Sequence, residues 1–308
     1  MIIKKNKTIF TDFVNKNNLK FTYIDVGARG DIVSPWIELE SNSLIVGFEP
    51  DSQETKRLNT IFTNRKYFDI ALWSNETNRK VYINEWESTS SMYEPNYNFI
   101  QDFEPKHWKG RKPKFEIDVK CNTLDSILGV DNIIPDFIKI DTQGAELEIL
   151  KGATELLTKY SPMVTCEVWC SEVYKDAPTM DKVIAFMNSV GYEVFDMEIS
   201  AAWRYGTQSS QSKRRALGYE VLFVKINNIN VNYKEQYLKL LLLLELYGYR
   251  NYALHLVKQN KDLHEIKTLL ENNEKHENKL MQKIINQVIK AINKLIDFKY
   301  KVYPTIKY

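Results

Sequence analysis

Four acidic residues carry most of the chemistry that the chain offers: Asp25, Glu49, Asp141 and Glu167. Each stands at or just beyond the end of an apolar run with strand character, and an open α/β sheet presents such strand ends to its ligand. Glu49 follows Asp25 by 24 residues (49 − 25), a spacing that suits a carboxylate gripping the two hydroxyls of a nucleoside ribose. Between them, Gly27 and Gly30 carry no Cβ and let the backbone of the turn approach that ligand closely. Asp141 and Glu167 close two further strands on the same sheet edge. They could converge as a general base and its orienter, or as ligands of a divalent metal. Glu167 could instead be paired with a neighbouring Lys or Arg, and Asp141 could cap the helix that follows. His107 is the one histidine before the C-terminal helices. It could reach over a pocket or simply be exposed.

The turn Gly27-Ala28-Arg29-Gly30 lacks the middle glycine of the dinucleotide pattern G-x-G-x-x-G. It leaves no cradle for a pyrophosphate, which Asp25 would in any case repel. S-adenosylmethionine suits the turn better, because its amino group and ribose hydroxyls are donors and its sulfonium is cationic. A NAD-dependent enzyme is the weakest rival.

These residues need a scaffold. Phe21 to Val26 and Leu44 to Phe48 read as parallel strands. A helix is expected from Ser34, with Pro35 at its first position, and another from Asp51 to Phe62. Tyr67 to Leu72 gives a third strand, and the alternation is the βαβ rhythm of a parallel sheet. The rhythm stops between residues 75 and 114. An edge strand, Arg79 to Trp86, is followed there by an aromatic-rich stretch expected to be a lid or binding loop. Phe115 to Cys121, Pro135 to Ile140 and Met163 to Val168 resume the strands, with a helix from Ala145 to Tyr160. A helix from Thr179 stops at Gly191. Tyr192 to Ile199 and Tyr219 to Ile226 close the sheet. Residues 1–20 read as a lead-in helix, 21–226 as the catalytic domain, and 233–308 as a helical C-terminal extension after an Asn-rich linker.

The segment DFIKIDTQGAELEILKGA (136–153), with YIDVGARGD, VGFEPD and NTLDSIL, closely resembles the FkbM family of S-adenosylmethionine-dependent methyltransferases over roughly residues 20–225. The resemblance implies a Rossmann-like, seven-stranded class I methyltransferase sheet with its last strand antiparallel. It also implies O-methylation of hydroxyls, commonly on sugars. By position, Asp25, Gly27, Ala28 and Gly30 would line the methionine end of the cofactor, and Glu49 and Pro50 the ribose. Asp69, Ile70 and Ala71 would lie near adenine, and Asp141 at the active-site end. Ser90 and Ser91 match a serine-containing insertion beside the pocket, with Gln143 expected on the substrate side.

A basic run that includes Lys106 and Arg111, with Arg204 in the connection before the last strand, could clamp a phosphate. A sugar or nucleotide-linked sugar in surface-glycan assembly is therefore the favoured acceptor. Another hydroxylated metabolite, a peptide, or a silent module with a helical interaction tail are the alternatives. A net charge of +2 argues against nucleic acid as a partner. Three cysteines give no even disulfide framework and suit a reducing cytoplasm. The N-terminus has no apolar h-region, and no run is long enough to span a membrane. The C-terminal helices could join copies into a homo-oligomer.

Overall fold

The computed structural model describes residues 12–206, 213–225 and 234–258, together with 267, 268, 270, 271 and 287. The Asn-rich linker, part of the 200–218 connection and most of the C-terminal extension lie outside these residues. So does the start of the lead-in helix, of which a helical turn at 12–16 is described.

The first strand, β1 (Phe21–Val26), is apolar along nearly its whole length because both its faces are covered, as a central parallel strand requires. It pairs in parallel with β2 (Ser43–Phe48) on one side. The stretch between them is a 3-10 helix, Trp36–Asn42, and not the helix expected from Ser34, with Pro35 outside it as the cap residue. Aromatic packing outweighs helix propensity here. Trp36 is buried, stacked 4.5 Å from Tyr23 and tilted against Phe137 at 5.3 Å, so this segment plugs the bottom of the sheet.

After β2, helix α1 (Ser52–Ile61) begins behind Asp51, whose carboxylate accepts from the backbone N–H groups of Gln53 and Glu54. The strand expected over Tyr67 to Leu72 is two strands in two sheets. β3 (Lys66–Phe68) extends the main sheet beside β2, whereas β4 (Ala71–Leu72) pairs with a later strand. The chain changes sheet at Asp69-Ile70.

Much of the segment expected to be a lid is regular structure. β5 (Thr77–Asn84) pairs antiparallel with β6 (Pro113–Asn122), and β4 completes a separate three-stranded sheet in the order β4-β6-β5. Two short helices, α2 (Tyr97–Ile100) and α3 (Pro105–Trp108), lie within the connection. Phe115 to Cys121 therefore belongs to the second sheet and not to the main one.

Helix α4 (Leu124–Val130) leads to β7 (Phe137–Ile140). The helix expected over 145–160 is broken into α5 (Glu146–Lys151) and α6 (Thr154–Lys159). At the break, a Cβ on Gly152 would stand 2.2 Å from the carbonyl oxygen of Trp73, so only glycine admits that close approach. β8 (Met163–Trp169), α7 (Met180–Ser189), β9 (Glu193–Trp203) and β10 (Arg215–Val224) follow. The seven-stranded sheet runs β3-β2-β1-β7-β8-β10-β9, and β10 is antiparallel to both its neighbours. The crossover from β3 back to the β7 side opens a crevice above β1 and β7.

The chain divides into two compact units, residues 20–240 and residues 1–19 with 241–308. In the second, helix α8 (Lys234–Leu246, its first turns in the first unit) and helix α9 (Arg250–Lys258) flank a turn in which Arg250 pairs with Glu245 at 2.5 Å. Among the described residues, no helix is long and apolar enough to cross a membrane.

Candidate active site

The crevice holds a cavity with about 720 Å3 of empty space, part of it open to solvent. Its floor is the end of β1 and the turn after it. Gly27 and Ala28 donate their N–H groups to the carbonyl of Phe48, at 3.0 and 3.1 Å, which ties that turn to β2. Gly27 has φ +81°, and a Cβ there would stand 2.0 Å from the carbonyl oxygen of Asp141. Its glycine is needed first for the approach of β7.

Glu49 lines one wall, 6% exposed, and its Oε1 accepts from the Asp51 N–H at 2.9 Å. Burial pushes its carboxyl up to about 7. Pro50, Ile70 and Ala71 continue that wall, and the sheet change at Asp69-Ile70 is what turns the last two inward. Asp69 faces an adjoining cavity of about 1230 Å3, which shares Pro50, Ile70 and Ala71 with the first.

Two residues absent from the sequence-based candidates, Arg29 and Glu87, also line the cavity. The Arg29 guanidinium meets Asp51 at 2.5 Å and Glu87 at 2.7 Å, with Glu49 4.0 Å away. A cation between two glycines of a strand-end turn is a visible signal. That Glu87, 58 residues on, would meet it is not.

Three other residues expected at the cofactor stand outside the cavity wall. Asp25 is buried behind it with Lys139 at 3.2 Å, and burial raises its carboxyl despite that cation. Ala28 packs beside Leu58 and Tyr67. Gly30, at φ +94°, gives its N–H to Glu54.

At the other end, Asp141 lines the cavity and Glu167 stands directly behind it on β8. The Nε2 of Gln143 lies 3.1 Å from Asp141 Oδ1 and 2.6 Å from Glu167 Oε2. Burial first, and the Asp141 charge second, push Glu167 up to about 8. The alternative of a Lys or Arg partner for Glu167 is replaced by this amide. The helix cap expected of Asp141 is not formed: the helix starts after Ala145 with no side-chain cap, and the Glu146 carboxylate instead takes the N–H groups of Thr142 and Gly144 in the preceding turn, at 2.9 Å each. The hydroxyls of Ser90 and Ser91 are engaged within the protein. One accepts from the Asn84 N–H, and the other donates to the Gln143 carbonyl at 2.7 Å.

A divalent metal does not fit this pair. Among the described residues, no three His, Cys, Asp or Glu side chains gather in a ligand set. Between the two carboxylates, where a bridging ion would sit, lies an amide NH2 with no lone pair to give.

His107, Lys106, Arg111 and Arg204 assemble elsewhere. The His107 ring stacks on Trp203 at 5.3 Å, its Nε2 lies 3.4 Å from Glu104, and burial lowers its proton affinity. Lys106 and Arg204 meet the same Glu104 at 2.8 and 3.6 Å. Arg111 is buried over the rings of Trp203 and Trp169 and donates to the His107 carbonyl. Aromatic faces and one carboxylate draw these cations together. None of the four lines either cavity.

Strand order, the single antiparallel strand and a cavity at the carboxyl ends of β1, β2 and β7 define a Rossmann-like class I α/β domain with a ligand crevice at the switch point. Residues 25–194, more than half of the chain, match the family model described as the methyltransferase FkbM domain, and the chain belongs to that family. No curated protein matches the chain. Among solved structures it is similar to the methyltransferase FkbM from Methylobacillus flagellatus KT, with 14% identity and a TM-score of 0.37. That likeness covers 66% of this chain and 44% of the other, so the chain spans less than half of that relative's length. It is also similar to precorrin-6y C5,15-methyltransferase from Geobacter metallireducens GS-15, at 15% identity and a TM-score of 0.33, covering 67% and 82%. The magnesium protoporphyrin IX methyltransferase of Synechocystis PCC 6803, solved with bound SAM, matches at 8% identity and a TM-score of 0.36, covering 73% and 79%.

Proposed function

We propose that the chain moves a methyl group from S-adenosylmethionine to a hydroxyl oxygen of a small polyhydroxylated acceptor, a sugar being the favoured class. The observation that carries this reading is the hydrogen-bonded Asp141–Glu167 pair at one end of a cavity whose opposite wall is Glu49. Glu49 would accept from the ribose hydroxyls, Ile70 and Ala71 would flank the adenine, and Gly27 would lie under the methionine chain. The sulfonium supplies an electrophilic methyl group, so the protein need only align the acceptor oxygen and relieve it of its proton.

The Asp141–Glu167 pair is the proton acceptor. Its last proton leaves only as pH rises through about 8, so the competent base accumulates over that range. A diphosphate-linked acceptor fits less well than a neutral one, because Lys106, Arg111 and Arg204 are held by Glu104 and the Trp pair. Calorimetry with S-adenosylmethionine and S-adenosylhomocysteine tests the cofactor. Labelled methyl transfer to a panel of sugars, polyols and peptides tests the acceptor. Absence of binding to either cofactor form would favour a silent module. Transfer to peptides alone would move the reading to the side-chain alternative.

A further inference from the structure

We infer that Gln143 is a positioning residue and not a substrate contact: its amide clips Asp141 and Glu167 together and is itself aimed by Tyr174. Three of the four bonding sites on that side-chain amide are spent inside the protein. Nε2 gives its two N–H groups to the two carboxylates at 3.1 and 2.6 Å. Oε1 accepts from the Tyr174 hydroxyl at 2.9 Å, and the main-chain carbonyl accepts from Ser91 at 2.7 Å. The residue is 8% exposed, so although it borders the cavity it has little to offer an acceptor.

Its backbone tells the same story. Gln143 has φ +58°, in the left-handed region that a side chain longer than Asn or Asp seldom occupies. Asn would adopt that turn more readily but is one methylene shorter. The extra length lets one nitrogen reach both β7 and β8. Tyr174, fully buried in the loop after β8, shares its one hydroxyl proton between the Gln143 Oε1 and the Thr89 carbonyl at 2.8 Å, which ties the clip to the segment that walls the cavity.

The groups that face the pair are few. Lys139 stands 3.9 Å from Asp141, with Asp25 beyond it. Glu146 lies under the turn, and Glu220 sits opposite Glu167 in the β8–β10 ladder, next to Glu198 on β9. Ser200 on β9 bonds to Glu167, and Arg111 bonds to Tyr174 on the far side of the clip. The two carboxyls also bond to each other, and of the two neutral donors, Ser200 and Gln143, only Gln143 reaches both. Removing it takes hydrogen bonds from their charged forms.

The inference builds on the proposed function only for what the pair is used for, and the titration that decides it needs neither cofactor nor acceptor. In the full-length protein, the Glu167 carboxyl carbon is followed by NMR through a pH titration, with Glu167→Gln providing the assignment. Gln143→Met should raise the midpoint of Glu167 by about one unit, roughly a tenfold gain in proton affinity. Tyr174→Phe should shift it in the same direction by less, and calorimetric affinity for S-adenosylhomocysteine should stay within about threefold of wild type. A midpoint unmoved in folded Gln143→Met overturns the inference. If that variant does not fold, Tyr174→Phe decides, an upward shift supporting the clip and an unmoved midpoint overturning it. Failure of the wild-type protein to bind either cofactor form would sink the proposed function and leave the titration result standing.

Discussion

Glu49 is held almost out of water, and its burial raises the pH at which it ionises to about 7. Ribose hydroxyls donate more strongly to a carboxylate than to its protonated form, so cofactor affinity should strengthen as pH rises through about 7. Below that midpoint the dissociation constant should worsen by up to about tenfold per pH unit, measured calorimetrically. Glu49→Gln should weaken binding and abolish this pH dependence. If the variant keeps the dependence, the titrating group is another one. At the second end of the cavity, Glu167→Gln should cut kcat by about 10²–10⁴-fold while cofactor affinity stays near wild type, the usual scale for losing a general base. Residue types at strand ends made Glu49, Asp141 and Glu167 legible in the sequence. Tyr174 and Glu87 were not, because loop residues remote in sequence reach the site only through the fold. His107 misled because a lone histidine in a basic, aromatic loop looks the same whether it faces a pocket or a tryptophan.

Among the elements, the sequence pattern served best where a strand is buried on both faces. β1, β2, β7 and β8 are mostly apolar, broken by residues such as Asp25, Lys139 and Glu167, and lie within a residue or two of their expected bounds. It served least where one apolar run feeds two sheets. Nothing in Tyr67 to Leu72 signals that Phe68 and Ala71 pair with different partners, since alternation and propensity are alike on both sides. Nor does a helical pattern reveal a break imposed from outside it. The break at Gly152 exists because the Trp73 carbonyl packs where a Cβ would be. Gly152→Ala would gain helix propensity yet must displace that carbonyl. We therefore expect a net loss of about 1–3 kcal/mol by denaturant unfolding, the scale of overpacking in a dense interior. A stabilised variant would mean that the carbonyl moves aside at little cost.

For the whole domain, the same burial that prepares the site makes folding sensitive to pH. Glu49 and Glu146 ionise near 7 in the folded chain and Glu167 near 8, each well above the ordinary glutamate value of 4.5 that holds when the chain unfolds. Burial is the leading cause in all three. A carboxyl that keeps its proton longer when folded contributes stability that is complete below 4.5 and is lost as pH rises through its folded value. Stability should therefore decline between about pH 5 and pH 8.5. Acid opposes this from below, because Glu54 and Glu40, held charged by arginines, lose their partners' support as pH falls. The melting temperature should peak in mildly acidic buffer. A loss of about 2 kcal/mol by pH 8.5 would lower it by about 4–8 °C for a domain of this size. Glu167→Gln should flatten the alkaline limb, because an amide has no proton to lose. Saturating S-adenosylhomocysteine should do so in part, since a ligand that prefers ionised Glu49 stabilises more strongly as pH rises. A wild-type melting curve that is level from pH 5 to 8.5, or a Glu167→Gln curve as steep as wild type, would show that these carboxyls are better solvated than their burial implies.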